Sequence, residues 1–239
     1  MCIRDRNLGL LDMLFINSNV RVETSSTIGP NADNIFVYPS VDVAWQFSKL
    51  NPFIGSPFLT FGKLRLAYGE VGVEPPPYNT QSIYVSPNYS DSYGGSLSTD
   101  LFGTGSFTPS QDLGDPSLRP EIKSEYEIGT DIRLIDNKVK IGYSYYYNTT
   151  DDVFFNLSLA NSSGYDEIFT NAGKIENKGM EVDLGYEIFK RNDFSININA
   201  NWSYYRNKVL DLKGVESIRL GGLSAVSGRA VEGYPLGVF

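Results

Sequence analysis

From Gly179 onward the side chains alternate without a break. Met180, Val182, Leu184, Tyr186 and Ile188 fall on one face of an extended segment, and Gly179, Glu181, Asp183, Gly185 and Glu187 on the other. A period of two is the mark of a strand whose faces meet different surroundings. The same pattern recurs in Tyr126, Ile128, Thr130, Ile132 and Leu134, in Val139, Ile141, Tyr143, Tyr145 and Tyr147, and in Phe194, Ile196, Ile198, Ala200, Trp202 and Tyr204. Each run holds for roughly ten residues, the length of a tilted strand that crosses a bilayer. Phe194 opens the last run, and Trp202 and Tyr204 close it, as aromatic girdles at two membrane interfaces would require.

Shorter runs precede these. Leu14, Ile16, Val20 and Val22 predict a first strand, and Ile35, Val37, Val41, Val43, Trp45 and Phe47 a second. Pro39 lacks an N–H, so it predicts a bulge or a locally unpaired edge. Leu64, Leu66 and Tyr68 predict a third strand. Residues 48–57 read as a turn, 69–120 as the longest loop, and 148–172 as a medium loop, with tight turns at Asp136-Asn137 and at Lys190–Asp193. Long and short connections thus alternate along the chain, the arrangement of an up-and-down barrel with long outer loops and short periplasmic turns. The predicted fold is all-β: an incomplete antiparallel up-and-down transmembrane β-barrel of about seven or eight strands. The other reading of the pattern is a soluble or cell-surface β-sandwich that binds carbohydrate.

Composition narrows the chemistry. The chain has 239 residues and a net charge of -8, which argues against nucleic acid as a partner. With no histidine and a single cysteine, it lacks the parts for a Ser-His-Asp triad, a Cys-His dyad or a Cys/His zinc site. No catalytic residue, metal site or cofactor is predicted, and the chain does not read as an enzyme. The head, Met1-Cys-Ile-Arg-Asp-Arg6, reads as neither a strand nor a signal peptide. Residues 1–10 are therefore expected to be a non-native head, and residues 11–239 a partial barrel.

Several stretches occur in a telling order: Ser26-Thr-Ile-Gly-Pro-Asn31, Phe36-Val-Tyr-Pro-Ser-Val41, Lys63-Leu-Arg-Leu-Ala-Tyr-Gly69, Leu118-Arg-Pro-Glu121 and Glu127-Ile-Gly-Thr-Asp131. Asn171-Ala-Gly-Lys-Ile-Glu-Asn-Lys-Gly179, Arg206-Asn-Lys-Val209 and Gly233-Tyr-Pro-Leu-Gly237 follow. Together they resemble SusC/RagA-type TonB-linked outer-membrane transporters over about residues 11–239. The resemblance implies import of oligosaccharides, or else peptides, across the outer membrane of a Gram-negative bacterium. It also implies membrane lipid around the barrel, a SusD-like surface lipoprotein as partner, and TonB acting through an N-terminal plug that this stretch does not contain.

Candidate binding residues are the loop aromatics Tyr78, Tyr84, Tyr89 and Tyr93, with Phe107 nearby, because flat rings among Ser, Asn and Asp suit sugar or peptide recognition. Glu74-Pro-Pro-Pro-Tyr78 reads as a stiffened loop base. On the polar face, Gly129, Gly142, Gly179 and Gly185 would either seat a plug or bend the wall. The carboxylates Glu125, Glu127, Asp131, Glu181, Asp183 and Glu187 would pair with Arg133, Lys138 and Lys140, or with a plug.

Overall fold

The structure, a computed structural model, describes residues 2–86, 88–89, 97–98, 107–191, 193–223 and 226–239. The strands are β1 (Cys2–Leu10), β2 (Leu14–Glu23), β3 (Phe36–Trp45) and β4 (Leu59–Val73). Then come short β5 (Tyr84–Val85), β6 (Asn88–Tyr89), β7 (Leu97–Ser98), β8 (Thr108–Pro109) and β9 (Asp112–Leu113). Long β10 (Glu121–Leu134), β11 (Val139–Ser158), β12 (Glu167–Arg191) and β13 (Phe194–Asp211) follow, and β14 (Ser217–Leu223) and β15 (Val226–Val231) close the chain. The main sheet runs β1-β2-β3-β4-β10-β11-β12-β13, each of these strands antiparallel to the next, with the short β5 to β9 lying between β4 and β10 in the chain. This is the predicted up-and-down wall.

Register places the alternating residues in rows. Tyr126 lies between Tyr68 and Tyr147, Val182 between Tyr143 and Trp202, and Tyr186 between Val139 and Ile198. The opposite face carries Asp131 between Lys63 and Gly142, and Asp183 between Gly142 and Asn201. A sandwich would cover the apolar face with a second sheet. Among the described residues nothing does so: Ile128 is 44%, Leu184 49% and Trp202 54% exposed. The face instead carries an open groove of about 420 Å³ bounded by Leu66, Tyr68, Tyr126, Ile128, Tyr145 and Tyr147.

Three local expectations need correction. The head is a strand: Cys2–Leu10 pairs residue by residue with β2 from Val22 to Leu14. Its alternation is obscured because charged and apolar residues share both faces, yet backbone pairing needs no particular side chain. Pro39 sits opposite Val20 in an unshifted ladder, so there is no bulge. The other half of that expectation holds, since pairing of β3 with β4 begins only at Ser40. Residues 148–172 are not a medium loop. β11 continues to Ser158 and β12 starts at Glu167, with register shifts at Thr150 and Val153. The hairpin thus rises well beyond the ten alternating residues, where apolar residues such as Val153, Phe154 and Phe155 follow one another onto both faces and periodicity no longer reports a strand.

The turn end behaves as predicted. Ile135, Asp136 and Asn137 take positive φ of 53, 52 and 67°, which matches a tight hairpin to the twist of its strands. At the loop end β14 and β15 form a hairpin that covers the upper part of the polar face. Ile175 and Val209 continue the polar-face rows upward but are buried there with Phe155, Ala172, Leu212, Ile218 and Ala230. The small apolar core of the molecule therefore sits under this hairpin and not inside the wall.

Candidate functional site

The loop end is held by residues that the alternation does not explain. Asn171 is 8% exposed, and its amide bridges three backbone groups. Its Oδ1 accepts from the Arg119 N–H at 2.9 Å, and its Nδ2 donates to the carbonyls of Arg119 and Asp152, both at 2.7 Å. One side chain thus ties β12 to β11 and to the end of the longest loop. Gly173 leaves room for the Phe155 ring, since a Cβ there would stand 2.5 Å from a ring carbon. Asn177 donates to Asn148 and Asn148 to Glu125, both at 3.1 Å, so the amides form a ladder across β12, β11 and β10.

The other distinctive stretches meet at the same end. The Gly29 N–H donates to the Leu118 carbonyl at 2.7 Å and the Asn31 N–H to the Pro116 carbonyl at 2.9 Å. Leu118 and Pro120 are fully buried beneath them, and so is Pro75 at the base of the Glu74–Tyr78 run, as a stiffened loop base requires. Farther along, the Val209 N–H donates to Tyr234 at 2.9 Å and the Leu236 N–H to the Asn207 side chain at 2.7 Å.

Charges lock this layer. Asp152 takes Arg119 at 2.7 Å and Lys213 at 2.9 Å. Burial pushes the Asp152 carboxyl up, but hydrogen bonds and charge from Arg119 and Lys213 outweigh it and hold it below the usual carboxylate range. Asp115 behaves alike: burial is overcome by hydrogen bonds from Ser117 and Thr170. Glu121 goes the other way, raised by burial that the Phe154 N–H only partly offsets.

The sign of the pH effect follows. A depressed carboxylate contributes stability that is present above its unfolded pKa of about 3.9 and is lost as pH falls through the lower folded value. Asp115 and Asp152 therefore loosen the layer in acid, while raised Glu121 opposes them as it takes up its proton. Limited proteolysis of the folded receptor is expected to leave the segment around residues 115–120 intact at pH 5 and to open it below about pH 4. Asp152→Asn should flatten that dependence. Cleavage equal at all pH values would refute the assignment.

Beside the layer lies a cleft of about 340 Å³ bounded by Tyr78, Gln81, Asp112, Asn156, Glu167 and Phe169. β9 runs parallel to the start of β12, setting Asp112 opposite Glu167. Asn156 donates to Glu167 at 3.2 Å, and Phe169 stacks on Phe154 at 5.1 Å. Of the predicted binding residues, Tyr78 reaches this cleft, with a positive φ of 69° and 80% exposure. Tyr84 is an exposed residue of β5 and does not line it. Tyr89 is in β6 opposite Leu97, and Tyr93 lies outside the described residues. Asp112, Asn156, Glu167 and Phe169 were missed because β9 and β11–β12 were read as loop.

On the polar face, Asp131 pairs with Lys63 at 3.0 Å and with Arg65 at 3.3 Å, and Arg65 also reaches Glu127 at 3.5 Å. The cations for Asp131 and Glu127 come from β4, Glu125 takes Lys123 and Glu187 takes Lys190, so these pairs do not use Arg133, Lys138 or Lys140. Gly129 has a plain role here: a Cβ would stand 2.8 Å from the Arg65 guanidinium, so its absence lets that side chain lie flat across the wall.

The family model described as TonB dependent receptor-like, beta-barrel matches residues 6–238. The chain belongs to this family. Among its relatives, TonB-dependent receptor P39 of Formosa agariphila is 27% identical over 231 residues, covering 94% of this chain and 21% of the relative. TonB-dependent receptor SusC of Bacteroides thetaiotaomicron is 22% identical over 218 residues, covering 87% of this chain and 20% of SusC. The structure of the RagAB peptide transporter superposes with a TM-score of 0.81 at 23% identity, over 98% of this chain and 24% of that one. At that identity the likeness is one of fold. The chain spans about a fifth of the length of the curated relatives. As a TonB-dependent receptor wall, it has an apolar face, a salt-bridged polar face and a tightly pinned loop end.

Proposed function

We propose that this chain is part of the wall of an outer-membrane transporter that imports oligosaccharides with energy from TonB. The observation that carries the proposal is the family match across nearly the whole chain, joined to a sheet whose two faces require different solvents. The apolar rows face lipid, and the ion-paired rows face the lumen. Lipid has no water to satisfy exposed backbone groups, so such strands belong in a closed barrel. TonB-dependent receptors are transporters, and the chain's role is binding and passage, with no bond made or broken.

In this reading the pinned end faces outward, and the segment beyond it, with Tyr78 and Tyr84, meets the substrate or a SusD-like lipoprotein. The segment has two parts. Residues 115–120 are structural, because Leu118 and Pro120 are buried and Arg119 is held by Asn171 and Asp152. Residues 82–110 carry the recognition. Replacing residues 82–110 with a short Gly/Ser link in the full-length transporter should preserve heat-modifiable migration and abolish growth on the glycan or recovery of the lipoprotein. Unchanged growth together with unchanged recovery would show that this loop recognises nothing.

A further inference from the structure

The polar face is built largely of Glu, Asp, Asn, Ser, Gly, Lys and Arg, and Phe15, Phe61, Tyr146 and Tyr205 are among its aromatic exceptions. Tyr146 on β11 and Tyr205 on β13 are both partners of Gly179 on the strand between them. Adjacent strands lie about 4.8 Å apart, so the two tyrosines stand roughly 10 Å apart across the glycine. The Tyr146 ring leans over that glycine, where a Cβ would stand 2.5 Å from its hydroxyl. Any other residue at 179 would lift the ring away from the wall. Tyr205 is 70% exposed.

The hydroxyls of these two rings are free among the described residues, unlike those of Tyr68 and Tyr147 on the outward face. Tyr147 donates to Glu176 at 3.1 Å, and Tyr68 donates to Glu70. Neither Tyr146 nor Tyr205 has a hydrogen-bond partner among the described residues. Both border a concavity of about 620 Å³ with Ser144, Asn148, Asn177 and Glu181. Its other charges are spoken for: Lys123 pairs with Glu125 at 2.7 Å, and Glu127 with Arg65 at 3.5 Å. Glu181 has no cationic partner among the described residues.

We propose that Tyr146 and Tyr205, set either side of Gly179, form a stacking platform for the pyranose rings of a neutral oligosaccharide. The inference rests on the import reading and names where on the wall the sugar is held. A pyranose presents a C–H face to an aromatic ring while its hydroxyls point sideways, here toward Glu181 and the Asn148–Asn177 pair. Surplus carboxylate repels anionic ligands. An extended peptide is captured by an open strand edge or by apolar side-chain pockets. β12 is paired on both sides here and the concavity is polar, so the wall offers neither.

The test uses the purified full-length transporter with its lipoprotein. Binding is measured for neutral gluco-, manno-, xylo- and galacto-configured hexasaccharides and for a mixed octapeptide pool. The parent should bind at least one hexasaccharide. Tyr146→Ala and Tyr205→Ala should each weaken that binding by roughly tenfold, while Tyr→Phe at either site retains most of it. Tyr→Leu variants keep the bulk without the aromatic face, and they should behave like the Ala variants if those misfold on heat-modifiability gels. A parent that binds only peptides overturns the glycan reading itself. A parent that binds a hexasaccharide equally well with leucine or alanine at both positions overturns the platform alone. Unchanged sugar binding with new leakage of large antibiotics would make the two rings a seat for the plug.

Discussion

Asn171→Leu is expected to cost the folded receptor about 3–5 kcal/mol, although the two side chains are similar in size. Leucine cannot replace the amide's three hydrogen bonds, so the Arg119 N–H and the carbonyls of Arg119 and Asp152 lose their partner together. Each buried polar group left unpaired costs about 1–3 kcal/mol. The damage should be local at first, because Arg119 leads into buried Leu118 and Pro120 and so into the loop packed on Gly29. Asn156→Leu is the control. That amide lies at the rim of the cleft with a single exposed bond to Glu167, and its loss should cost under about 0.5 kcal/mol. Urea titration of the full-length protein in liposomes measures both. Equal costs would mean that Asn171 is not the tie between strand and loop.

Val182→Arg and Ile198→Arg are each expected to cost about 2–4 kcal/mol in the same liposome assay. Val182 lies between Tyr143 and Trp202, and Ile198 lies opposite Tyr186, well inside the apolar rows. A guanidinium there must be solvated in hydrocarbon or must drag water with it. Glu181→Arg and Asn197→Arg move the same charge one residue along the same strands, onto the polar face, and should cost far less. The comparison isolates facing from strand propensity, since all four sites are paired residues of β12 and β13.

Much of this was legible in the chain because a two-solvent sheet writes itself into every second residue. Met180 to Ile188 and Phe194 to Tyr204 gave the facing of the residues in the middle of β12 and β13, though not the full length of either strand. The pattern fell silent where both faces meet similar surroundings. The rise of β11 to Ser158 and the start of β12 at Glu167 lie beyond the apolar band, so alternation there carries no signal. Cys2–Leu10 pairs mainly through its backbone, with one side-chain bond from Asn19 to Asp5, and mixes polar and apolar residues on both faces. The Asn171–Gly179 stretch stood out as a motif, but its meaning needed coordinates: Asn171 binds backbone, Gly173 admits Phe155, and Gly179 lies beneath Tyr146. The cleft was the least visible, because Asp112 and Glu167 meet through a two-residue parallel bridge between distant segments. Tyr146 and Tyr205 were visible only as breaks in the alternation.

The central claim is that the two faces of this sheet see lipid and water respectively. With Cys2, the chain's only cysteine, changed to serine, single cysteines at positions 181 to 188 of the full-length protein can each carry a fluorophore in bilayers. Brominated lipid chains should quench the label at 182, 184, 186 and 188 and leave 181, 183, 185 and 187 bright, while aqueous iodide should give the opposite set. Quenching without a period of two, or with the parity reversed, would contradict the account.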